Sequence, residues 1–324
     1  MFTCTDAELE ALLDPTQVVA AIRAAFADGL EKVNMPPRLH LKTDTGTLLI
    51  MPCAIAGDDL CGVKMVSVSR EARPEGRVGA SYMLLDARTS KTIATFDANF
   101  LTDVRTAATT AIATEILAES EAATLGIFGT GRQAEAHLVM LARLRDFRQI
   151  LVSGSTAAKT EAFVQRMQQR CGLEIKAAAA ETCARYSDVI CTCTTSAGPL
   201  FPGELIRPGT HINLIGAFQP HTREVDSALI RRARVFVDTY EAAFAEAGDI
   251  LIPLHAREIG REHVVSDLHE LVSDVKSGRR SREDITVFKS VGCALEDLVT
   301  AKLALRGIQS RATEATASHR SPIS

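Results

Sequence analysis

No stretch of this 324-residue chain is apolar for long enough to span a bilayer. No basic stripe is present either: 36 Lys and Arg stand against 40 Asp and Glu, a formal net charge of −4, which argues against a nucleic-acid partner. The first residues, Met1-Phe-Thr-Cys-Thr-Asp-Ala-Glu-Leu-Glu10, are acidic and lack the apolar core of a signal peptide. We therefore expect a soluble, cytoplasmic protein without a membrane or nucleic-acid partner. Internal repeats are absent.

A disulfide framework is also missing, because eight cysteines in a chain of this size are too sparse to staple it. Cys191 and Cys193 alternate in Val-Ile-Cys-Thr-Cys-Thr and could share a strand face. A thiolate metal pair is one reading of them. No second Cys or His pair stands at zinc spacing, so we expect no metal and take them as small buried apolar residues.

With 46% hydrophobic residues the chain can bury a large core, in two domains at this length. Thr5-Asp-Ala-Glu8 is a capping box opening a short helix, and Asp14-Pro-Thr-Gln17 opens another. After Met35-Pro-Pro37 the pattern predicts strands at Arg38–Leu41, Thr47–Met51, Cys61–Ser69, Ser81–Asp86 and Lys91–Phe96. Asp44-Thr-Gly46 and Arg73-Pro-Glu-Gly76 supply turns between them. Thr102–Ala118 reads as a long alanine-rich helix.

From Thr124 strands and helices alternate. The strands are expected at Thr124–Phe128, Gln149–Ser153, Glu174–Ala178, Val189–Thr192, His211–Ile215 and Val235–Asp238, which predicts a parallel sheet covered on both faces. Phe288–Leu305 reads as helix and Ser310–Ser324 as a polar, frayed end.

The most informative segment is Thr124-Leu-Gly-Ile-Phe-Gly-Thr-Gly-Arg-Gln-Ala-Glu-Ala-His137. An apolar strand turns through Gly129-Thr130-Gly131 into a helix beginning near Arg132 and Gln133. Gly129 permits the tight turn, Gly131 lets backbone approach a pyrophosphate, and Ala134 replaces the third glycine of the dinucleotide fingerprint. The free N–H groups and dipole of the helix start then favour phosphate. At the end of the next strand, about 20 residues on, an NAD site normally carries an acid for the ribose hydroxyls. Here Ser153, Ser155 and Thr156 stand instead, with Lys159 and Arg132 near enough in sequence to reach a 2′-phosphate. NADP(H) is the expected cofactor and NAD(H) the alternative, since a solvated turn would tolerate either.

Several charges interrupt apolar or small-residue stretches. Lys64 lies in Leu-Cys-Gly-Val-Lys-Met-Val, where it either meets an anion or points to a solvated face. Arg105 lies among the small residues of Leu-Thr-Asp-Val-Arg-Thr-Ala-Ala, and Arg38 follows two prolines. Guanidinium forks suit carboxylates and phosphates, although each arginine alone also reads as a surface residue. Asp226, in Arg-Glu-Val-Asp-Ser, alone reads as a helix N-cap.

Taken together these segments form a pattern. The chain resembles the ornithine cyclodeaminase/mu-crystallin family over nearly its whole length. Met35-Pro-Pro-Arg38, Gly62-Val-Lys64, Leu101-Thr-Asp-Val-Arg-Thr-Ala-Ala108, Gly129-Thr-Gly-Arg-Gln-Ala134, His211-Ile-Asn-Leu-Ile-Gly216, Arg223-Glu-Val-Asp226 and Val287-Phe-Lys-Ser-Val-Gly292 carry the likeness, in order. The resemblance implies an α/β fold in which a Rossmann-type dinucleotide-binding domain, residues 119–288, is inserted between two parts of an α+β domain. That second domain, 1–118 plus 289–324, would bind substrate and form a homodimer.

It further implies that Arg38, Lys64 and Arg105 surround the substrate carboxylate or imine, with Lys64 and Asp226 catalytic and Asp226 the acid/base. Thr106 would lie near the cofactor phosphates and Ser290 near the nicotinamide. The implied activity is NAD(P)H-dependent reduction of small cyclic ketimines of the pyrroline-2-carboxylate or piperideine-2-carboxylate type, or L-amino-acid dehydrogenation. Two alternatives are an ammonia-releasing ornithine or lysine cyclodeaminase and a weakly catalytic NADPH-binding crystallin-like protein. Leu49 stands where cyclodeaminase members carry an acid for the distal amine, and the loop after Lys64 lacks their Asn-Gly-His-Pro texture. Both departures favour the reductase and dehydrogenase branches.

Overall fold

The computed structural model describes residues 1–71 and 78–318, so the turn expected at Arg73-Pro-Glu-Gly76 lies outside the described residues. By contact the chain divides into two compact units, Met1–Arg105 with Cys293–Ser324, and Thr106–Gly292.

The first unit opens with a short strand, β1 (Phe2–Cys4), and two helices, α1 (Asp6–Leu12) and α2 (Pro15–Ala27). Thr5 and Glu8 form the capping box of α1, and Asp14 caps α2 ahead of Pro15. Six more strands follow: β2 (Val33–Asn34), β3 (Leu39–Thr43), β4 (Gly46–Ile55), β5 (Leu60–Ser69), β6 (Val78–Asp86) and β7 (Thr92–Asp97). They form one sheet in the order β1-β7-β6-β5-β4-β2, with β3 also on β4; every pairing is antiparallel except β1 with β7. Burial alternates along β4 and β5, the pattern of a sheet covered on one face. Leu49, Met51, Val66, Tyr82 and Leu84 are buried in this unit's core.

Helix α3 (Asn99–Leu117) leaves the first unit and finishes in the second. The sequence placed the boundaries after residues 118 and 288; by contact they fall after 105 and 292. The end of α3 belongs to the second unit because its polar atoms bond there: Thr110 Oγ1 with His137 Nε2 at 2.9 Å, and Asn213 Nδ2 to Thr114 Oγ1 at 2.9 Å.

The second unit runs β8 (Thr124–Phe128), α4 (Arg132–Leu144), β9 (Gln149–Ser153), α5 (Ala157–Cys171), β10 (Ile175–Ala177), α6 (Ala180–Tyr186), β11 (Val189–Thr192) and β12 (His211–Leu214). It continues with α7 (Ser227–Arg232), β13 (Arg234–Val237), α8 (Tyr240–Glu246), α9 (Gly248–His255), β14 (Val264–Asp267), α10 (Leu268–Val272) and β15 (Thr286–Lys289). Eight parallel strands lie in the order β10-β9-β8-β11-β12-β15-β13-β14. The order reverses between β8 and β11, the switch point at whose carboxyl end ligands bind in such sheets.

The chain then returns to the first unit as α11 (Ala294–Ser318), which packs on α2 and across β4 and β5. Two expectations need correction here. Thr286–Lys289 is a fully buried strand between β12 and β13, so Phe288 and Lys289 are not helical. A short apolar run has no period that separates a buried strand from a helix. The polar stretch from Ser310 to Ser318 is helix rather than frayed end.

Candidate active site

In the first unit the site grows from the middle of β5. Lys64 pairs in register with Met51 of β4 and Tyr82 of β6, on a face buried under α11, and is only 1% exposed. A buried ammonium needs an anion. Asp297, in the first turn of α11, supplies one: Lys64 Nζ donates to its Oδ1 at 2.8 Å. Arg105, from α3 and 5% exposed, places Nε 3.0 Å from the same oxygen and donates through Nη1 to Glu296 Oε2 at 2.5 Å. Both carboxylates are fully buried.

Burial pulls the Lys64 pKa down from 10.5 to about 8, helped by the adjacent Arg105 and by Arg38, while Asp297 opposes the fall. Burial also acts against the Arg105 cation, but Asp297 and Glu296 outweigh it and raise its pKa. Arg38 itself, half-buried just before β3, is therefore within electrostatic reach of Lys64. The structure thus answers the question left open for Lys64: it meets an anion and does not face solvent. Gly62 of the Gly-Val-Lys segment has its own reason, because a Cβ there would lie 2.2 Å from the Tyr82 hydroxyl.

Sequence reasoning missed Glu296 and Asp297. The signal was the one that exposed Lys64, adjacent charges in an alanine- and leucine-rich stretch. Acids in a helix's first turn are, however, ordinary surface residues favoured by the dipole.

In the second unit Gly129 follows β8 with φ +115°, and a Cβ there would meet the Cys193 carbonyl at 2.5 Å. Its N–H donates to Ser153 O at 2.8 Å, and Cys193 N–H to Phe128 O at 2.7 Å, so the turn is held between the ends of β9 and β11. Gly131 is the N-cap of α4 and makes no side-chain cap bond; a Cβ there would touch nothing within 4 Å. The start of α4 thus stands beside open space at the switch point, which fits a pyrophosphate. Ala134 is fully buried, as close helix–sheet packing requires.

Thr130 sits beside Gly154, where a Cβ would come 2.7 Å from its methyl, so the turns after β8 and β9 adjoin. Arg132 and Gln133 begin α4; Ser153 ends β9, and exposed Ser155 precedes Thr156, the N-cap of α5, which accepts from Lys159 N–H at 3.3 Å. Lys159 is exposed in that first turn. Thr106 is buried in α3, one helical turn before Thr110.

Asp226 caps α7: Oδ1 accepts from Leu229 N–H at 2.9 Å and Oδ2 from Gly203 N–H at 2.8 Å. Ser290 is buried and donates to Asp238 Oδ2 at 2.9 Å, which also accepts from the N–H groups of Val291 and Gly292. Two residues from Asp226, Glu224 was overlooked. It is fully buried and accepts from Thr192 Oγ1 (2.7 Å), Thr194 N–H (2.8 Å) and Gly216 N–H (2.7 Å), tying together the segments after β11 and β12. Burial raises its pKa and Lys289, paired with Asp249 at 3.1 Å, restrains the rise. Burial likewise pushes the Cys191 thiol to about 12, so it is protonated.

Residues 1–312 match the profile of the ornithine cyclodeaminase/mu-crystallin family. The chain belongs to that family. It is 33% identical over 302 residues to a Δ1-pyrroline-2-carboxylate reductase of Bacillus cereus, covering 91% of this chain and 93% of the relative. The Δ1-pyrroline-2-carboxylate reductase of Thermococcus litoralis, solved with NADH and L-proline, superposes with a TM-score of 0.92 at 33% identity, covering 96% of this chain and 98% of that one. An archaeal alanine dehydrogenase dimer with bound NAD follows at 0.89 and 31%, with 96% and 98% covered. The α/β fold with a Rossmann-type domain is that of the family.

Gly129 offers a direct check on the switch-point turn. Gly129→Ala meets both the left-handed backbone and the Cys193 carbonyl, so the turn must shift. Dinucleotide affinity, measured by fluorescence or calorimetric titration, is expected to fall about tenfold or more, in line with a strain of roughly 1–3 kcal/mol.

Proposed function

We propose that this protein is an NAD(P)H-dependent reductase of small cyclic ketimines carrying one carboxylate, of the pyrroline-2-carboxylate or piperideine-2-carboxylate type, and that run in reverse it dehydrogenates L-amino acids. The observation that carries the reading is the buried Lys64–Arg105 pair, in a chain with a dinucleotide turn at its switch point. Three cations, Arg38, Lys64 and Arg105, gather with the carboxylates Glu296 and Asp297, and cations so grouped suit a substrate carboxylate. The relatives named for Δ1-pyrroline-2-carboxylate reduction support the same class.

Gly129, Thr130, Gly131, Arg132 and Gln133 would hold the pyrophosphate, with Thr106 near the phosphates and Ser290 at the nicotinamide end. When bound, the reduced nicotinamide supplies the hydride for the imine carbon. The guanidinium groups of Arg38 and Arg105 fix the substrate carboxylate, a geometry a fork matches better than a point charge. The Lys64 ammonium donates toward the imine side, favouring the iminium, which accepts hydride more readily. Asp226 serves as the acid/base of the reaction. Leu49, buried on β4, argues against a cyclodeaminase, which needs an acid there. By likeness to the archaeal dimer, the working form is a homodimer.

The reading is tested by incubating the protein with NADPH or NADH and a panel of imino acids, keto acids with amines, and ornithine. Imine reduction is expected; ammonia and proline from ornithine would instead identify a cyclodeaminase. Lys64→Ala should lower kcat/KM about a hundredfold, the lower end of the range for general acid catalysis. In the wild type the charged form of Lys64 is active, so kcat/KM is expected to hold below pH 8 and decline as pH rises through about 8. A flat profile to pH 10 would remove Lys64 from the chemistry.

Asp226→Asn separates acid/base from cap. Asparagine keeps the α7 cap but turns its amide NH2 toward Gly203 N–H, so melting temperature should fall modestly while cofactor affinity stays near the wild-type value. Turnover should fall about a hundredfold, because an amide exchanges no proton at useful pH. Wild-type turnover would leave Asp226 as a cap alone.

For the cofactor, we infer a preference for NADPH. No acid ends β9 to repel a 2′-phosphate, and Arg132 and Lys159 begin the helices after neighbouring strands β8 and β9. Lys159→Glu should move the ratio of kcat/KM values toward NADH by about tenfold, one charge-assisted contact. Higher wild-type efficiency with NADH at fixed ionic strength would refute the preference.

A further inference from the structure

Two buried cations facing one substrate repel each other, and something must hold them together before substrate arrives. Lys64 is fixed on β5 and Arg105 on α3, and both reach Asp297 Oδ1, at 2.8 and 3.0 Å. The oxygen they share belongs to the first turn of α11, so three elements of the first unit meet on one atom. Of these two cations the neighbouring Glu296 takes Arg105, at 2.5 Å. Asp297 Oδ2 has no hydrogen-bond partner among the described residues, and the carboxylate is fully buried, so it is not a solvated helix-end acid. An exposed first-turn acid would gain only weakly from the helix dipole. A buried one lacking cations would be strongly destabilising, so its presence here is tied to Lys64 and Arg105.

We propose that Asp297 is the positioning residue of the substrate site, clamping Lys64 and Arg105 on one carboxylate oxygen so that Lys64 keeps its proton for the imine, with Glu296 as a second anchor for Arg105 alone. The inference rests on the reductase reading above.

The groups around Lys64 fit this role. From α3 comes Arg105, and from the segment before β3 comes Arg38; both disfavour the ammonium. Tyr82 on β6 and Cys53 on β4 are held protonated by burial and contribute no charge. Cys61, on β5 itself, lies within electrostatic reach of Tyr82 and Cys53. Just before α11, Cys293 donates to Glu296 Oε1 at 3.6 Å, and on α11 Lys302 is paired with Asp58. Asp297 is the group that favours the ammonium, by charge and by hydrogen bond. Burial and two guanidinium groups pull the other way, and the balance lies at about 8. Replacing the carboxylate by an amide removes the one opposing influence, so the Lys64 midpoint must fall.

The test is carbon-13 NMR of the full-length protein labelled at lysine Cε, with the Lys64 signal identified by its loss in Lys64→Arg. Wild-type Lys64 is expected to titrate near pH 8. In Asp297→Asn the midpoint should drop by about one unit or more, a tenfold change in proton affinity. Glu296→Gln, which leaves Asp297 in place, should move it by less than half as much. The alkaline limb of the reductase kcat/KM profile should move with the NMR midpoint, a shift that a merely structural role for Asp297 would not produce. A Lys64 midpoint unchanged in Asp297→Asn overturns the inference.

Should Asp297→Asn not fold, Asp297→Glu decides. The retained charge keeps the midpoint within about half a unit of wild type while kcat drops, because the longer arm cannot keep both cations on one oxygen. A fall of a unit or more in Asp297→Glu overturns the clamp. The two readings fail separately: a wild type inactive on every imino acid sinks the reductase reading, and the NMR comparison still judges Asp297.

Discussion

Everything in the first unit turns on the cost of keeping a lysine inside a sheet. Lys64 occupies the centre of β5 with Met51 and Tyr82 beside it, where an apolar side chain would pack without penalty. Its ammonium is tolerated because α11 returns from the far end of the sequence with Asp297. Arg105 is tolerated for the same reason, with Glu296 added. Breaking a buried pair by deleting one partner typically costs about 3–5 kcal/mol, because the other charge is left buried and uncompensated. A cluster of this kind is poor evidence for stability. It is good evidence that charge is wanted at that spot, and the discontinuous chain path of the unit is what makes the charge possible.

The second unit buries charge for a different end. Glu224, Asp249 and Lys289 lie at the carboxyl ends of the parallel strands, but their atoms are taken up by backbone N–H groups and by one another. They shape the loops after β11 and β12 next to the Gly129 turn, whose approach to the Cys193 carbonyl leaves no room for a side chain. A carboxylate with several N–H donors around it is a piece of scaffold. One shared by two side-chain cations, with an oxygen left over, is the feature on which the proposed site rests. Asp226 lies between these cases, since both its oxygens serve backbone N–H groups while it stays partly open.

How much of this was legible in the sequence depended on whether the signal was local. Strands β8, β9 and β11 lie where expected, to the residue, because each is an apolar run closed by turn residues. The glycine turn was legible because strand, turn and helix each demand a different residue type in a fixed order. Lys64 and Arg105 stood out against apolar and small neighbours, and the structure brings them together on one carboxylate. Glu296 and Asp297 did not stand out, because a first turn is where acids belong on any helix. Glu224 was masked by Asp226, whose cap signature is stronger. Thr286–Lys289 was taken into a helix because a fully buried strand lacks the alternation that reveals a half-buried one. The helix beyond Ser310 was missed because its polar residues continue an element already anchored by Leu298, Ala301 and Leu305.

On the proposed reading, the unlike chemistry of the cations accounts for a lysine among them. A guanidinium stays charged throughout the accessible pH range and offers a planar fork, which suits a permanent grip on a carboxylate. It is a poor proton donor for the same reason. Between Asp297 and Arg105 a lysine is set near pH 8, where the proton is held but can still leave. An arginine at position 64 would keep the charge and lose the acid; a histidine would be neutral in so dry a place, as His211 is, pulled down to about 3 by burial. Of the common cations, only lysine gains reactivity from this degree of burial. The apolar surroundings of β5 and the carboxylate of α11 are therefore two halves of one adjustment: the first makes the proton mobile, and the second keeps it in place.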